Sequence, residues 1–309
     1  MRKRRILITG ASGLLGLNIA LEAAKEHRVF GQVNSYRLNT TAFSTIQTDL
    51  LVPGAIQRLI EDTQPDWVIH CAALANVDLC ETNPQQAQQL NSEVAAELAQ
   101  FVARGGARLI HVSTDAVFDG QKGDYSEQDA PNPLGVYARS KLAGELAVAK
   151  ANPQAIIARV NLFGWSLTGK RSLAEFFFNN LSGKKPCMGF TDVFFCPMLA
   201  NDLGLVFLSM LEAGLSGLYH AVGSQPLSKY QFGVQVARRF GFDESLVIPT
   251  LVGDSGLRAA RSPNLTLRTD KLIHALGEPL PNVSTGLEKF YTQYQQGYPQ
   301  QIRRFVRSE

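Results

Sequence analysis

Short apolar or β-branched runs alternate with amphipathic stretches through the first half of the chain. Residues 5–9, 28–34, 66–71, 109–113 and 155–160 are predicted as strands; 14–25, 53–62, 84–104 and 134–150 are predicted as helices. Strands that are apolar at nearly every position need cover on both faces, which is the mark of a parallel sheet with helices above and below. The order strand–helix–strand therefore predicts an α/β chain of the Rossmann type, a doubly wound parallel sheet. Within 84–104, Ala87, Leu90, Val94, Leu98, Phe101 and Val102 recur at helical spacing, and Gly105-Gly106 supplies a stop. The stretch 119–133 carries Gly120, Gly123, Pro131 and Pro133 and is predicted as a surface loop.

Past Gly164 the alternation loosens, with helices predicted at 173–181 and 199–213 and a strand at 218–222. Ser228-Lys229-Tyr230-Gln231 has the form of a capping box, followed by Phe232, Val236 and Phe240 on one face and Gly241 as terminator. Ser284 is predicted to cap a last helix whose Leu287, Phe290, Tyr291 and Tyr294 form a packing stripe. The expected organisation is a dinucleotide-binding unit over 1–163 and a smaller, mainly substrate-binding α/β lobe over 164–309. Segments near 199–222 are expected to return to the first unit.

With 309 residues, 45% of them hydrophobic, the chain can bury a large core. A net charge of +3, without basic runs interleaved with aromatics, argues against a nucleic-acid partner. The basic start through Arg5 is followed by only Ile6-Leu7-Ile8, too short for a secretion signal. The apolar stretch 203–215 is broken by Ser209 and Glu212, so no membrane span is expected. Cys71, Cys80, Cys187 and Cys196 show no paired metal spacing; reduced thiols, a cytoplasmic location and no metal requirement are the expectation.

The chemistry gathers where strands end. Thr9-Gly10-Ala11-Ser12-Gly13-Leu14-Leu15-Gly16 joins the first strand to the first helix, where a pyrophosphate meets free backbone N–H groups and the helix dipole. Gly10 permits the tight turn, Gly13 removes a side chain where phosphate approaches, and Gly16 allows close helix packing. Tyr137 and Lys141 stand four apart on a helix, hence on one face, and a nearby ammonium lowers the pKa of a phenol toward useful acid–base chemistry. Ser113-Thr114 ends a strand on the ligand side of the sheet, where a hydroxyl can hold a substrate carbonyl oxygen. No Asp or Glu occurs from Gly31 to Thr48, whereas NAD-binding sites place an acid after the second strand. Arg37, with Asn34 and Ser35, can instead hold a 2′-phosphate, so NADP(H) is the preferred cofactor and NAD(H) the alternative.

In this order the glycine motif, the strand-end hydroxyl and Tyr-x-x-x-Lys resemble the extended short-chain dehydrogenase/reductases. The chain is most similar to their dTDP-4-dehydrorhamnose reductase-like branch, which also includes the methionine adenosyltransferase regulatory β subunit. The matching pieces are His70-Cys71-Ala72-Ala73, Val77-Asp78, Leu90-Asn91, Ser113 through Gly120, and Tyr137 through Glu145. The resemblance implies that Thr114 is the catalytic hydroxyl, that Asn91 supports the lysine through water, and that Asp49-Leu50 contacts adenine. It also implies that Cys71, Ala72 and Ala73 belong to the cofactor cleft, and that Asp192, Arg261 and Asn264 lie in substrate-contacting segments. Two departures stand out: Ala116 where the reductases usually carry tyrosine, and Arg261-Ser262-Pro263-Asn264 where their late motif lacks the serine between arginine and proline.

The expected activity is NADPH-dependent reduction of a nucleotide-linked 4-keto-6-deoxysugar. Tyr137 would supply the proton, Lys141 would hold the nicotinamide ribose, and Thr114 would steady the oxygen. Two rivals use the same scaffold: a sugar epimerase with a retained NAD, and a regulatory subunit that binds NADP without turnover. The family resemblance further implies a homodimer formed through helices 84–104 and 134–150.

Overall fold

The computed structural model describes residues 2–255 and 262–306. Six strands, β1 (Arg5–Thr9), β2 (Arg28–Val33), β3 (Ser44–Gln47), β4 (Trp67–His70), β5 (Arg108–Thr114) and β6 (Ile156–Val160), together with the strand Gly217–Ala221, form one sheet. The order across it is β3, β2, β1, β4, β5, β6, then Gly217–Ala221, with every neighbouring pair parallel. The switch of winding direction at β1 places the ends of β1 and β4 beside a crevice. Side chains alternate as a pleat requires: Ile6 and Ile8 enter one core, while Leu7 enters the other. Both faces are covered, which is why the strands read as continuous apolar runs.

The helices in chain order are α1 (Leu14–Ala23), α2 (Ala55–Thr63), α3 (Val77–Thr82), α4 (Pro84–Gln88), α5 (Val94–Arg104) and α6 (Val136–Ala151). The later ones are α7 (Leu173–Ser182), α8 (Ala200–Glu212), α9 (Lys229–Phe240), α10 (Asp270–Leu276), α11 (Val283–Gln295) and α12 (Tyr298–Arg303). Helices α1 and α8 contribute to one core; α2 and α5 contribute to the other. The strand Gly217–Ala221 extends the main sheet beside β6, although it lies far along the chain.

Among the described residues, several elements differ from the sequence expectation, α10, α12 and the short strands of the later part of the chain among them. β3 was not foreseen, because as the sheet's edge it is polar and largely exposed and shows no apolar alternation. The short helix α3 also went unseen, being amphipathic over too few residues to establish a period. The helix expected over 84–104 is divided by a π-turn at Gln89–Glu93. Helix α11 is capped by Asn282, whose side chain accepts from the Thr285 N–H at 2.9 Å, and not by Ser284. Asparagine is as good a cap as serine, and here it stands at the point where the chain turns into the helix. The capping box of Ser228 and Gln231 forms as expected.

The later part of the chain packs around aromatic rings. Trp165 stacks on Phe290 at 3.9 Å between centroids and donates its indole N–H to the Phe290 carbonyl. Cys187–Phe190 pairs in parallel with Val247–Thr250, and Phe194–Phe195 pairs antiparallel with Leu227–Ser228.

The π-turn has a steric partner. Its wide turn presents the Asn91 carbonyl to α6, where a methyl group on Gly144 would lie 2.2 Å from that oxygen. Backbone cannot yield as a flexible side chain does, so Gly144→Ala is expected to destabilise the protein by about 2 kcal/mol, as overpacking does. Urea unfolding measures it, and a change below about 0.5 kcal/mol, the scatter of ordinary surface substitutions, would contradict this packing.

Candidate active site

The turn between β1 and α1 is built from glycines for distinguishable reasons. Gly10 has φ +67°, and a Cβ on it would lie 2.8 Å from the Ala72 nitrogen. A Cβ on Gly16 would lie 2.4 Å from the Gly10 carbonyl oxygen, so this glycine lets the helix close on its own turn. Gly13 faces the cavity. Buried Gln32 fixes the turn from the side, accepting from the Gly10 N–H at 2.9 Å and donating to the Thr48 carbonyl at 2.7 Å. The first-turn N–H groups of α1 have no intrahelical carbonyl to meet and line the same space.

The second group stands on α6 and β5. Tyr137 is half-buried on the cavity wall; desolvation pushes its phenol up to about 12, with the Thr114 hydroxyl pulling it partly back. Lys141 is buried, and its Nζ donates to the Val112 carbonyl at 2.7 Å and lies 3.5 Å from His111 Nε2. Burial brings this ammonium down to about 8, with Glu145 and Cys71 opposing. The expectation that Lys141 depresses the tyrosine needs correction: its head group is turned onto β5, and burial raises Tyr137. The i, i+4 spacing places both side chains on one face of a helix but does not decide where a four-carbon stem directs its charge.

Beneath them, Glu145 accepts two hydrogen bonds from Arg159, at 3.0 and 2.8 Å, and one from Ser113. The ion pair is almost fully buried and joins α6 to β6 directly under the site. Thr114 ends β5 with its hydroxyl 3.1 Å from Asp115 Oδ1, and Asn161, just past β6, donates to Asp115 Oδ2 at 2.6 Å.

These residues surround two adjoining cavities. One, about 400 Å³, runs from the glycine turn past Cys71 and Ala73 to Thr114, Tyr137 and Lys141. The other, about 470 Å³, is walled by Ala116, Leu134, Phe194, Lys229 and Leu265. Tyr137 and Asn161 belong to both. The first cavity fits an elongated group with a central anion: the anion meets the α1 N-terminus where Gly13 offers no side chain, and Lys141 stands toward the other end.

Only some of the other expected residues reach the cavity. Asn91 is buried in the π-turn, and its side chain holds the Leu74 N–H and carbonyl and the Ser140 hydroxyl, tying the post-β4 loop to α6 beside Lys141. Ala72 backs the turn, its N–H donated to Thr9 Oγ1, while Cys71 and Ala73 face the cavity. Ser12 is half-buried in the glycine turn. Asp49 accepts from the Leu51 N–H, and Leu50 is a core residue. Asn34, Ser35 and Arg37 are exposed after β2, where Arg37 donates to the Gln47 side chain and Gln47 donates to the Asn34 carbonyl.

The expected substrate contacts fare differently. Asp192 accepts from the Val252 N–H and does not line either cavity, because its carboxylate is spent on the turn after Val247–Thr250. Asn264 is likewise drawn into the fold: its Oδ1 accepts from Thr266, and its backbone N–H donates to the Gly120 carbonyl. Arg261 lies outside the described residues. Asp115, Asn161 and Arg171 line the first cavity and were not foreseen. The first two sit just past the carboxyl ends of β5 and β6, a position that itself marks a ligand crevice; nothing local distinguishes Arg171.

Among the described residues, no three His, Cys, Asp or Glu side chains group as a metal site requires, and no helix is long and apolar enough to cross a membrane. The four cysteines are free thiols.

Comparison with known proteins gives this geometry its relatives. The chain is 36% identical to a dTDP-4-dehydrorhamnose reductase of Mycobacterium tuberculosis, over 80% of this chain and 79% of that protein. It is 33% identical to the methionine adenosyltransferase 2 subunit beta of Bos taurus, over 84% of this chain and 78% of that one. The fold matches the crystal structure of a dTDP-4-dehydrorhamnose reductase from Bacillus anthracis in complex with NADP, with TM-score 0.81 and 24% identity over 94% of this chain and 99% of the other. The family model described as the RmlD substrate binding domain matches residues 4–296. The chain therefore belongs to the RmlD family, in the dTDP-4-dehydrorhamnose reductase-like branch of the extended short-chain dehydrogenase/reductases.

Proposed function

We propose that the chain is an NADPH-dependent reductase of a nucleotide-linked 4-keto-6-deoxysugar. The observation that carries this reading is the shared wall: Tyr137 and Asn161 stand between the cavity over the glycine turn and the second cavity. A proton donor so placed can reach a ketone on one side while a cofactor is held on the other. The turn from Gly10 to Gly16, Cys71, Ala73 and Lys141 would hold the cofactor; a bound nicotinamide supplies the hydride. Val193, Phe194, Lys229 and Leu265 come from the later part of the chain, which supports reading 164–309 as mainly a substrate lobe. Leu146, 66% exposed on α6, gives that face an apolar contact suited to the pairing of two copies.

The protein's own groups divide the work. With its phenol pushed up to about 12, Tyr137 stays protonated at neutral pH and acts as the acid that a reduction needs. Thr114 steadies the oxygen on which charge develops. Tyr137→Phe is expected to lower turnover of a dTDP-4-keto-6-deoxysugar by about 10²–10⁴-fold, the worth of a positioned acid, and to leave NADPH affinity within about twofold. Retention of most of the rate, followed by NADPH absorbance, would remove Tyr137 from the mechanism.

Lys141 makes the cofactor site sensitive to pH. Its ammonium, brought down to about 8, is charged below that pH and loses its proton above it, so affinity for the anionic cofactor falls as pH rises through about 8. Fluorescence titration of NADPH from pH 6.5 to 9.5 should show this limb, and Lys141→Met should flatten it; a limb of equal size in the variant would assign it to another group.

The absence of an acid from Gly31 to Thr48 and the position of Arg37 after β2 support NADPH over NADH by at least about tenfold, or 1.4 kcal/mol. Arg37→Ala should erase most of that preference. Equal affinities of the parent protein for the two cofactors would defeat the assignment.

A regulatory role is the second reading. It draws on the similarity to the methionine adenosyltransferase subunit and on Asp192 and Asn264 being turned into the fold instead of toward ligand. Stable co-purification with a synthetase, without ketosugar turnover, would favour it.

A further inference from the structure

Asp115 is a buried carboxyl that the mechanism above does not use. It lines the first cavity between the Thr114 hydroxyl and the Asn161 amide and is only 4% exposed. One oxygen accepts from Thr114 at 3.1 Å, the other from Asn161 Nδ2 at 2.6 Å. The Lys229 charge also acts on it. Counting protons on Thr114 gives the consequence. Its oxygen already accepts the Ala116 N–H at 3.2 Å, and its single hydroxyl proton, within reach of both Asp115 and Tyr137, goes to Asp115 when that carboxyl is ionised. A ketone beside Tyr137 would need that same proton.

We propose that Asp115 is a positioning residue for the reduction: ionised, it holds the Thr114 proton away from the ketone, and protonated, it donates to Thr114 and releases that proton toward the ketone oxygen. The inference rests on the reductase reading and deepens it. In the released state the carboxyl O–H donates to Thr114 Oγ1, so the same contact survives with its direction reversed. Nothing else in the pair has to move.

The surroundings suit a carboxyl that changes state near neutrality. Burial pushes it up to about 6, while Asn161, Thr114, the Lys229 charge on α9 and the Ala116 N–H pull the other way. Tyr137 faces it from α6, and Cys196 also senses its charge; burial raises both, to about 12 and about 11, so both stay protonated where Asp115 titrates. Below about 6 the carboxyl is protonated and the Thr114 proton is free; above it the proton is held.

Two measurements test this, one of which needs no substrate. Neutron diffraction from crystals of the full chain at pD 5 should place a deuteron on Asp115 with the Thr114 deuteron directed into the cavity; at pD 8 the Thr114 deuteron should point at Asp115. A Thr114 deuteron directed into the cavity at pD 8, or a bare Asp115 at pD 5, overturns the proposal. The second is kcat for a dTDP-4-keto-6-deoxysugar between pH 5 and 7.5. It should fall at least about tenfold in the parent, within the roughly 10²–10³-fold that loss of one oxyanion donor costs. Asp115→Asn, whose amide can donate to Thr114 at every pH, should keep the acid-side rate and lose the fall. An unchanged fall in that variant overturns the proposal, since a purely structural carboxyl would leave the profile's shape alone. If neither protein reduces the ketosugar while the deuterons exchange as stated, the reductase reading fails and the coupling of the two hydrogen positions stands.

Discussion

Gly10 comes so close to the Ala72 backbone that any Cβ there would lie 2.8 Å from its nitrogen, and the rest of the site is arranged around that approach. The contact joins the ends of β1 and β4, the two strands at which the winding of the sheet reverses. Because Gly10 has φ +67°, the chain turns sharply enough for α1 to begin directly over the crevice. Gln32, one strand away, engages the Gly10 N–H, and the Ala11 N–H goes to the Gln32 carbonyl, so the turn is held from β2 as well. What remains unspent are the first-turn N–H groups of α1, directed where an anion would lie. A side chain at position 10 or 16 would push α1 off the strand ends, and the cavity would lose its shape before any reacting group was touched.

The charge at Lys141 is the second constraint, because it sits among buried groups. His70 and His111 stack at 5.4 Å on neighbouring strands beneath it. Burial and the Lys141 charge together bring His70 down to about 3 and His111 well below its ordinary range, so both are neutral under any physiological condition. Thr9 completes the stack: its oxygen accepts the Ala72 N–H and lies within hydrogen-bond distance, 2.7 Å, of His70 Nδ1. Lys141 thus stands above neutral rings, with the paired Glu145 and Arg159 below it. A buried ammonium next to a cofactor cavity is costly for the fold and useful for holding an anionic ligand.

Much of this was legible in the chain, and the reasons differ by element. The strands of the sheet's interior announce themselves because both faces are apolar, and the glycine turn because its spacing reflects steric demands of the backbone. Edge strand β3 stayed hidden because it is polar and largely exposed, whereas the opposite edge, Gly217–Ala221, is largely buried and was legible. The role of Asn91 was expected as water-mediated support of the lysine, whereas its side chain is engaged with Leu74 and Ser140; a π-turn has no periodic signature of its own. Asp192 and Asn264 show the limit of motif transfer, since a polar residue in a corresponding segment can satisfy its own backbone as readily as a ligand. Asp115 and Asn161 were readable in principle from their places after two central strands, but that needs the strand order, which spacing alone does not reveal.

The central claim is that hydride passes directly from a nicotinamide in one cavity to a ketone carbon in the other, where the two cavities meet beside Tyr137 and Asn161. Isotope transfer tests this most directly. With NADPH deuterated at nicotinamide C4 and a dTDP-4-keto-6-deoxysugar, the product sugar should carry deuterium at its C4 with one stereochemistry, read by mass spectrometry and proton NMR. Cofactor bound tightly with no deuterium delivered to any nucleotide ketosugar would contradict the account and leave a protein that binds but does not reduce.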